Sequence, residues 1–367
     1  MLRGFIHTQL AFSHELRLGG KDRAMIYAPR YGPGVSPLPF PITLALAPME
    51  GVTDDLVRGM FASWGGLDYC VTEFVRVTDT PLPEKVLLRD CPELVYGCLA
   101  DDKTPVHVQL LGGDPDRVAE SARTAVACGA IAVDLNFGCP APTVNRHDGG
   151  ASLLRDPCRV EAVTGAVRRA VPGPIPVSAK VRLGWSDPDD IVTIARAAEA
   201  GGAAWLTVHG RTRVQGYAPP ADWVRIGRAR EAVSIPVVAN GDLRSPEDIA
   251  RCHEISGCDR FMIGRGAIER PELFRVIRGS DRWWSTAERL AVLTTYVDRA
   301  RSRGGWTEHG ILGRVKQWAR ALSNGDPAIV PVFDRIKRCQ SLDEAMMVVV
   351  GGGLRLSPYV GRMTPSP

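Results

Sequence analysis

The chain is predicted to fold as a (β/α)8 barrel followed by a helical C-terminal domain, and three observations predict it. Eight short apolar runs alternate with helical patterns between residues 42 and 263. Each run ends in a polar or glycine-rich turn, and beyond about residue 285 the strand signals fade while helical spacing continues. Nearly all-apolar strands alternating with helices imply a parallel sheet covered on both faces. Eight such units over roughly 230 residues match a closed barrel. A doubly wound sheet is the alternative, but no Gly-x-Gly-x-x-Gly follows the first strand.

The first run, residues 42–47, precedes a helical stretch at 54–64, and a second run covers 70–74. The third, 106–111, leads to a helix over 114–128, and the fourth, 131–135, to one over 159–170. The fifth, 176–181, is followed by 189–200, the sixth, 204–208, by 222–231, and the seventh, 235–239, by 246–255. The eighth is 259–263. Helical spacing then recurs at 290–301, 311–322 and 345–350, with one short strand-like run at 329–333. The expected division is an N-terminal extension at 1–40, poorly ordered because it is rich in Gly and Pro and weakly periodic, a barrel at 41–280, a helical domain at 281–355 and a tail at 356–367.

Composition narrows the class. A chain of 367 residues with 45% apolar content can bury a barrel-sized core and a smaller unit. No apolar run reaches the roughly 18 residues needed to span a bilayer. The first residues hold no continuous apolar core followed by a small-residue cleavage site, which argues against a secretory signal, and Glu15 and Asp22 interrupt the acid-poor pattern of a transit peptide. Nine cysteines with no Cys-x-x-Cys pair argue against a disulfide framework or structural zinc. A cytoplasmic protein away from membranes is therefore expected, and a monomer is expected beside it. Residues 281–340 carry 11 Lys/Arg against 6 Asp/Glu, a net +5 in a chain whose total is +4. Such a region could attract a polyanion or be an ordinary solvated helical surface.

The most informative segment is 134–152, DLNFGCPAPTVNRHDGGAS. The fourth strand ends by presenting the Asn136 amide and the Cys139 thiol on a segment that Pro140, Pro142, Gly149 and Gly150 mark as a long irregular loop. A thiol there is a candidate nucleophile or acid. It could equally be an inert core cysteine, and position alone leaves both readings open.

Barrels place their chemistry at the C-terminal strand ends. Those ends supply Glu50, Glu73, Gln109, Asn136, Lys180, His209, Asn240 and Arg265 in turn. Random loop polarity would not supply donors so regularly. The glycine-rich turns after strands seven and eight match the common barrel phosphate site, with Gly241, Gly264 and Gly266 permitting close approach of an anion and Arg265 adding charge. The glycines could instead simply turn the chain. A phosphate together with ring-facing donors from strands three, five and six suggests FMN across the barrel mouth. Lys180 could stabilise a reduced, anionic flavin and His209 bond its edge. A structural lysine and a satisfied core histidine are the plainer readings of those two.

Together these motifs resemble the tRNA-dihydrouridine synthases. The matching stretches are APMEGVTD at 47–54, TEF at 72–74, VQLLG at 108–112 and DLNFGCP at 134–140. KVRLGW at 180–185, VHGRT at 208–212, NGD at 240–242 and IGRGA at 263–267 continue the series, and the resemblance covers roughly residues 42–350. EFVRV at 73–77, RVKQW at 314–318 and the basic stretch near Lys337 look like the bacterial branch acting on uridine 16 of the D-loop. The resemblance implies a barrel holding FMN and a helical domain gripping tRNA. Pro48 and Met49 would cover the flavin edge, Gln109, Lys180 and His209 would bond the ring and ribityl chain, and Asn240, Gly241, Asp242, Gly264 and Arg265 would hold the ribityl and phosphate. Cys139 would be the general acid, with Asn136 and Arg182 on the target uracil. Arg76, Arg314 and Lys337 look like tRNA-orienting positions, and Lys316 belongs to the same basic stretch. NADPH is the implied reductant.

Two rival readings remain. An FMN-dependent small-molecule pyrimidine reductase or dehydrogenase shares the barrel and flavin logic but needs no basic helical domain. A non-catalytic RNA-binding barrel needs neither Cys139, Lys180 nor the phosphate turns.

Overall fold

The computed structural model describes residue 38 and residues 40–351, apart from 102 and 281. The proposed extension at 1–40 therefore lies almost wholly outside the described residues, and the tail at 356–367 lies entirely outside them. Nine strands occur among the described residues: β1 (Thr43–Leu46), β2 (Tyr69–Val71), β3 (Val75–Arg76), β4 (Val106–Leu111), β5 (Val133–Asn136), β6 (Val177–Arg182), β7 (Leu206–His209), β8 (Val237–Asn240) and β9 (Arg260–Ile263). All pairings between them are parallel. β1 pairs with β9 on one side and β2 on the other, and β2 pairs with β4, so eight strands close into a barrel. β3 continues the line of β2 beside β4.

The helices among and after the strands are α1 (Asp55–Trp64), α2 (Glu84–Asp90), α3 (Pro115–Ala127), α4 (Pro142–Arg146), α5 (Pro157–Ala170), α6 (Ile191–Ala200), α7 (Trp223–Ala232), α8 (Pro246–Ser256), α9 (Arg265–Glu269), α10 (Leu273–Ile277), α11 (Thr286–Arg303), α12 (Glu308–Gly325), α13 (Val330–Ile336) and α14 (Leu342–Gly351). Local chemistry sets their starts. Asp54, Asp114, Asp156, Asp222 and Ser245 accept hydrogen bonds from first-turn amides of α1, α3, α5, α7 and α8. Pro115, Pro157 and Pro246 fix φ where no amide donor is needed. Ser285 and Glu288 form a reciprocal capping box on α11.

Three expectations require correction. The run at 329–333 is not a strand: Pro327–Ile329 forms a 3-10 turn and Val330–Ile336 a helix, because the apolar positions Ile329, Val332 and Ile336 recur at helical spacing and all three are buried. The segment after Cys139 is not irregular, since α4 and a 3-10 turn at Gly150–Arg155 fill it. The strands are not uniformly apolar either. Their alternate residues, such as Leu44, Val108, Leu135, Val181 and Val208, join the apolar core under the helices. The intervening residues include His107, Gln109, Asp134, Ser178, Thr207 and His209, which are buried and by the two-residue period face the barrel lumen.

The apolar core is continuous from the barrel into α11–α14. Trp64 of α1 packs edge-on against Trp284 and lies 6.5 Å, centroid to centroid, from Trp318 of α12. Ion pairs stitch the same seam: Arg314 to Asp54 at 2.5 Å, Arg299 to Asp101 at 2.5 Å, and Arg303 to Asp55.

Candidate active site

The C-terminal ends of the strands surround a cavity of about 650 Å³, within the size range of small-molecule and cofactor sites. One wall is Ala47–Glu50 with Val52, from the turn between β1 and α1, and Phe74 stands beside them. The second is Asn136 and Gly138–Pro142, the turn after β5. Lys180, Arg182 and His209 come from the ends of β6 and β7, and Arg211 and Tyr217 from the loop after β7. The last wall joins Asn240–Arg244 to Gly264–Gly266, the turns after β8 and β9.

Most residues singled out by sequence thus meet at one cavity: Pro48, Met49, Asn136, Cys139, Lys180 and Arg182, then His209, Asn240, Gly241, Asp242, Gly264 and Arg265. Gln109 does not reach its wall. It is fully buried one layer below, where its Nε2 donates to Asp134 at 2.6 Å and its Oε1 accepts from Asn136 at 2.8 Å.

Four residues expected to meet tRNA lie elsewhere. Arg76 lines a neighbouring polar groove that also contains Arg117, His147 and Arg159. Arg314 is half-buried and paired to Asp54, so it is a strut of the seam and not a free surface cation. Lys316 Nζ donates to the Cys339 carbonyl at 2.7 Å, closing the end of α13. Lys337 is exposed and paired with Asp334 at 2.5 Å. Arg320, Arg335 and Arg338 are exposed and make no ion pair among the described residues.

Cys139 is 9% exposed, and its loop is held from three sides. Asn136 Oδ1 accepts from the amides of Gly138 and Cys139, both at 2.9 Å. Arg182 Nε donates to the Gly138 carbonyl at 2.7 Å. The Ala151 amide donates to the Cys139 carbonyl at 3.1 Å. Burial, with Glu50 adding to it, raises the thiol above its ordinary value against weaker lowering by the Ala141 backbone, Arg182 and Arg76. The group therefore holds its proton at neutral pH and can give it up as an acid.

Electrostatics around the cavity favour an anion. Lys180, Arg182, Arg211, Arg244 and Arg265 face it, against the carboxylates of Glu50 and Asp242. Burial, then Arg182, lowers Lys180 to about 8. Burial, then the cations Arg182, Lys180, Arg211 and Arg265, pushes His209 well below its ordinary value, so its imidazole is neutral. Arg182 directs Nε and Nη1 to the carbonyls of Gly138, Thr212 and Gly216. Its guanidinium lies 5.2 Å from the centre of the Tyr217 ring.

Asp242 Oδ2 accepts from Arg211 and from the Ala221 amide, whereas its buried Oδ1 accepts no hydrogen bond from the described residues. Asp242 is held below the usual carboxylate range: burial opposes ionisation, and Arg211 with the Ala221 amide outweighs it. Glycine is required at two places here. Gly241 has φ +121°, and a Cβ would come 3.1 Å from His209 Cδ2. A Cβ on Gly266 would stand 2.3 Å from the Leu243 carbonyl. Sequence reasoning placed Arg211 among the strand-end polar groups without a role and missed Arg244 and Tyr217. Arg211 was in view, inside the VHGRT stretch that ends the sixth run, while Arg244 and Tyr217 carried no spacing signal.

A family model described as Dihydrouridine synthase (Dus) matches residues 45–307. The tRNA-dihydrouridine(16) synthase of Shewanella oneidensis is 43% identical over 304 residues, which span 83% of this chain and 96% of that protein. The protein of the same name from Ralstonia nicotianae is 45% identical over 312 residues, 83% of this chain and 94% of its own. Among solved structures, histamine dehydrogenase from Rhizobium sp. 4-9 aligns over 70% of this chain and 49% of its own with a TM-score of 0.52 at 12% identity, a likeness of fold alone.

Proposed function

The chain belongs to the dihydrouridine synthase family, and from that premise we propose that it reduces uridine 16 of the tRNA D-loop to 5,6-dihydrouridine, with FMN bound at the barrel mouth and NADPH as reductant. The observation that carries this reading is the convergence on one cavity of the Cys139 thiol with Lys180, Arg182, Arg211, Arg244 and Arg265. The residues present fit a flavin mononucleotide. The close-approach turns Asn240–Arg244 and Gly264–Gly266, with Arg244 and Arg265, suit its phosphate. Asp242 Oδ1, which accepts no hydrogen bond from the described residues and lies 3.7 Å from Arg265, suits a ribityl hydroxyl donor. Bound there, the flavin supplies hydride to carbon 6 of the uracil.

The protein's own groups do the rest. Lys180 places positive charge beside the ring site and Asn240, whose Oδ1 lies 3.4 Å from Lys180 Nζ, orients it. Neutral His209 accepts from Arg211 through Nε2 at 3.1 Å, which leaves its Nδ1–H as a donor. Met49 packs along the wall that carries Gly264. Asn136 has a second amide N–H without a partner among the described residues, suited to a uracil carbonyl, and Arg182 flanks the same space. Cys139 delivers its proton to carbon 5. A target base must leave the tRNA stack to reach this depth, so the RNA has to be held outside the mouth. Exposed Arg320, Arg335, Lys337 and Arg338 on α12 and at the end of α13 are suited to its phosphates, as is Arg76 in the adjoining groove. We place the protein in the cytoplasm as a monomer, in line with its tRNA substrate; among the described residues no helix is long and apolar enough to cross a membrane.

The test is spectroscopic. The purified protein should show oxidised flavin bands that NADPH bleaches without oxygen, and that return when tRNA lacking dihydrouridine is added. A spectrum without flavin bands, unchanged on adding FMN, overturns the proposal.

A further inference from the structure

A chain of hydrogen bonds runs from the barrel lumen to the Cys139 loop, and its direction is forced from one end. Backbone amides only donate, so the Gly138 and Cys139 amides require Asn136 to present Oδ1 to them. Asn136 Nδ2 must then donate to Gln109, which accepts through Oε1 at 2.8 Å. That leaves Gln109 Nε2 as donor to Asp134 Oδ2 at 2.6 Å. Ser178 donates to the other oxygen, Oδ1, at 2.5 Å. The far end of the chain is the Asp134 carboxyl, whose two oxygens take Gln109 and Ser178, so each amide is held in register between the loop amides and Asp134. Burial raises this carboxyl, and bonds from Ser178 and Gln109 with the charge of Lys180 oppose that. A buried carboxylate is destabilising, and an apolar residue of similar size would be less so unless the charge and its acceptors are needed. Asp134 is fully buried and reaches neither the cavity nor solvent.

We propose that Asp134 is a positioning residue for the proton-donating loop: it fixes the orientation of the Gln109 and Asn136 amides, and through them the backbone at Gly138–Cys139. The functional part of this inference rests on Cys139 being the acid in the reaction proposed above, whereas the structural part does not. Reversal of the Gln109 amide would present its Nε2 to Asn136. Asn136 would turn to accept that bond, its Nδ2 would face two amides that also donate, and the loop would lose both Asn136 bonds, keeping only those of Arg182 and Ala151.

Two substitutions separate the relay from the loss of charge. Asp134→Asn removes the charge but keeps an oxygen for Gln109 and lets its own amide donate to Ser178. Asp134→Val removes charge and acceptor together. Any effect of the lost charge on nearby Lys180 is common to both, so their difference reports the relay. Gln109→Leu cuts the chain with the Asp134 charge intact, and it decides the matter if Asp134→Val does not fold. The readout is the alkylation rate of Cys139 by iodoacetamide, followed on its tryptic peptide in the flavin-loaded protein, alongside dihydrouridine formation in tRNA. Loss of the anchoring bonds should raise the alkylation rate at least about fivefold in Asp134→Val and Gln109→Leu. Asp134→Asn should stay within about fivefold of the native protein, and tRNA reduction should fall in the first two variants and be retained in the third. A smaller rise in either chain-breaking variant, or Asp134→Asn behaving like Asp134→Val, overturns the proposal. Native protein that fails to modify tRNA would instead overturn the functional reading and leave the alkylation result standing.

Discussion

At the scale of single residues, the site sets protonation states by burial. Cys139 keeps its proton because a buried thiolate is disfavoured, and the nearby Arg182 and Arg76 do not overcome that. His209 and His107 stay neutral for a related reason. His107 stacks on Tyr69 inside the barrel, and burial lowers it to about 3. Both imidazoles therefore titrate in the unfolded chain, near 6.5, but not in the folded one over the same range. Stability should be fully present above about pH 6.5 and fall as pH drops, by up to about 1.4 kcal/mol per pH unit for each histidine. Urea denaturation at several values between pH 7.5 and 5 checks this. His107→Phe should show a shallower fall than the native protein, and equal slopes would contradict the assignment.

At the scale of elements, α1 is fixed through its N-terminal turn. Asp54 caps it through the Val57 amide, and the same carboxylate takes Arg314 from α12 and the Tyr296 hydroxyl from α11. Arg58, inside α1, grips Glu93 with two bonds at 2.7 and 2.8 Å and the Thr53 carbonyl with a third. Both partners are buried, so removing one strands the other. Glu93→Ala should cost about 3–5 kcal/mol in chemical denaturation. A loss under about 1 kcal/mol would mean that water reaches Arg58.

The eight barrel strands and their helices were legible in the sequence because apolar runs and acidic caps mark them locally. Sequence reading stopped the strands one residue short at Asn136, Arg182, His209 and Asn240, since a polar residue at a strand end looks like loop. It also overlooked the lumen-facing pair Asp134 and Ser178, because small polar groups paired across neighbouring strands leave no long-range mark in one sequence. The cavity residues were legible as a set because strand ends converge in a barrel. The ion pairs that hold Arg314 and the bond that holds Lys316 depend on packing between distant segments, which no local pattern encodes.

At the scale of the molecule, charge is divided between seam and surface. Residues 281–340 hold a net +5, yet Arg289, Arg299, Arg303 and Arg314 are paired with carboxylates within the fold. Arg282 and Arg301 are paired as well, so the exposed cations without an ion pair among the described residues are Arg320, Arg335 and Arg338. Lys337 stands beside them, paired only with Asp334 one turn back. Reversing Arg335, Lys337 and Arg338 to Glu should weaken tRNA binding and flatten its dependence on salt, by up to about 0.9 in the log–log slope for each phosphate no longer neutralised. Flavin content should not change, because these residues stand outside the cavity. An unaltered salt slope would reduce the basic face to a solvated surface.

The most direct measurement is a map of dihydrouridine in tRNA from cells lacking this gene, complemented with the native protein or with Cys139→Ala. Loss of a general acid costs about 100- to 10,000-fold. The proposed activity predicts that position 16 is unmodified in the deletion, restored by the native protein, and not restored by Cys139→Ala although that variant still carries flavin. Dihydrouridine persisting at position 16 in the deletion, or full restoration by Cys139→Ala, would contradict it.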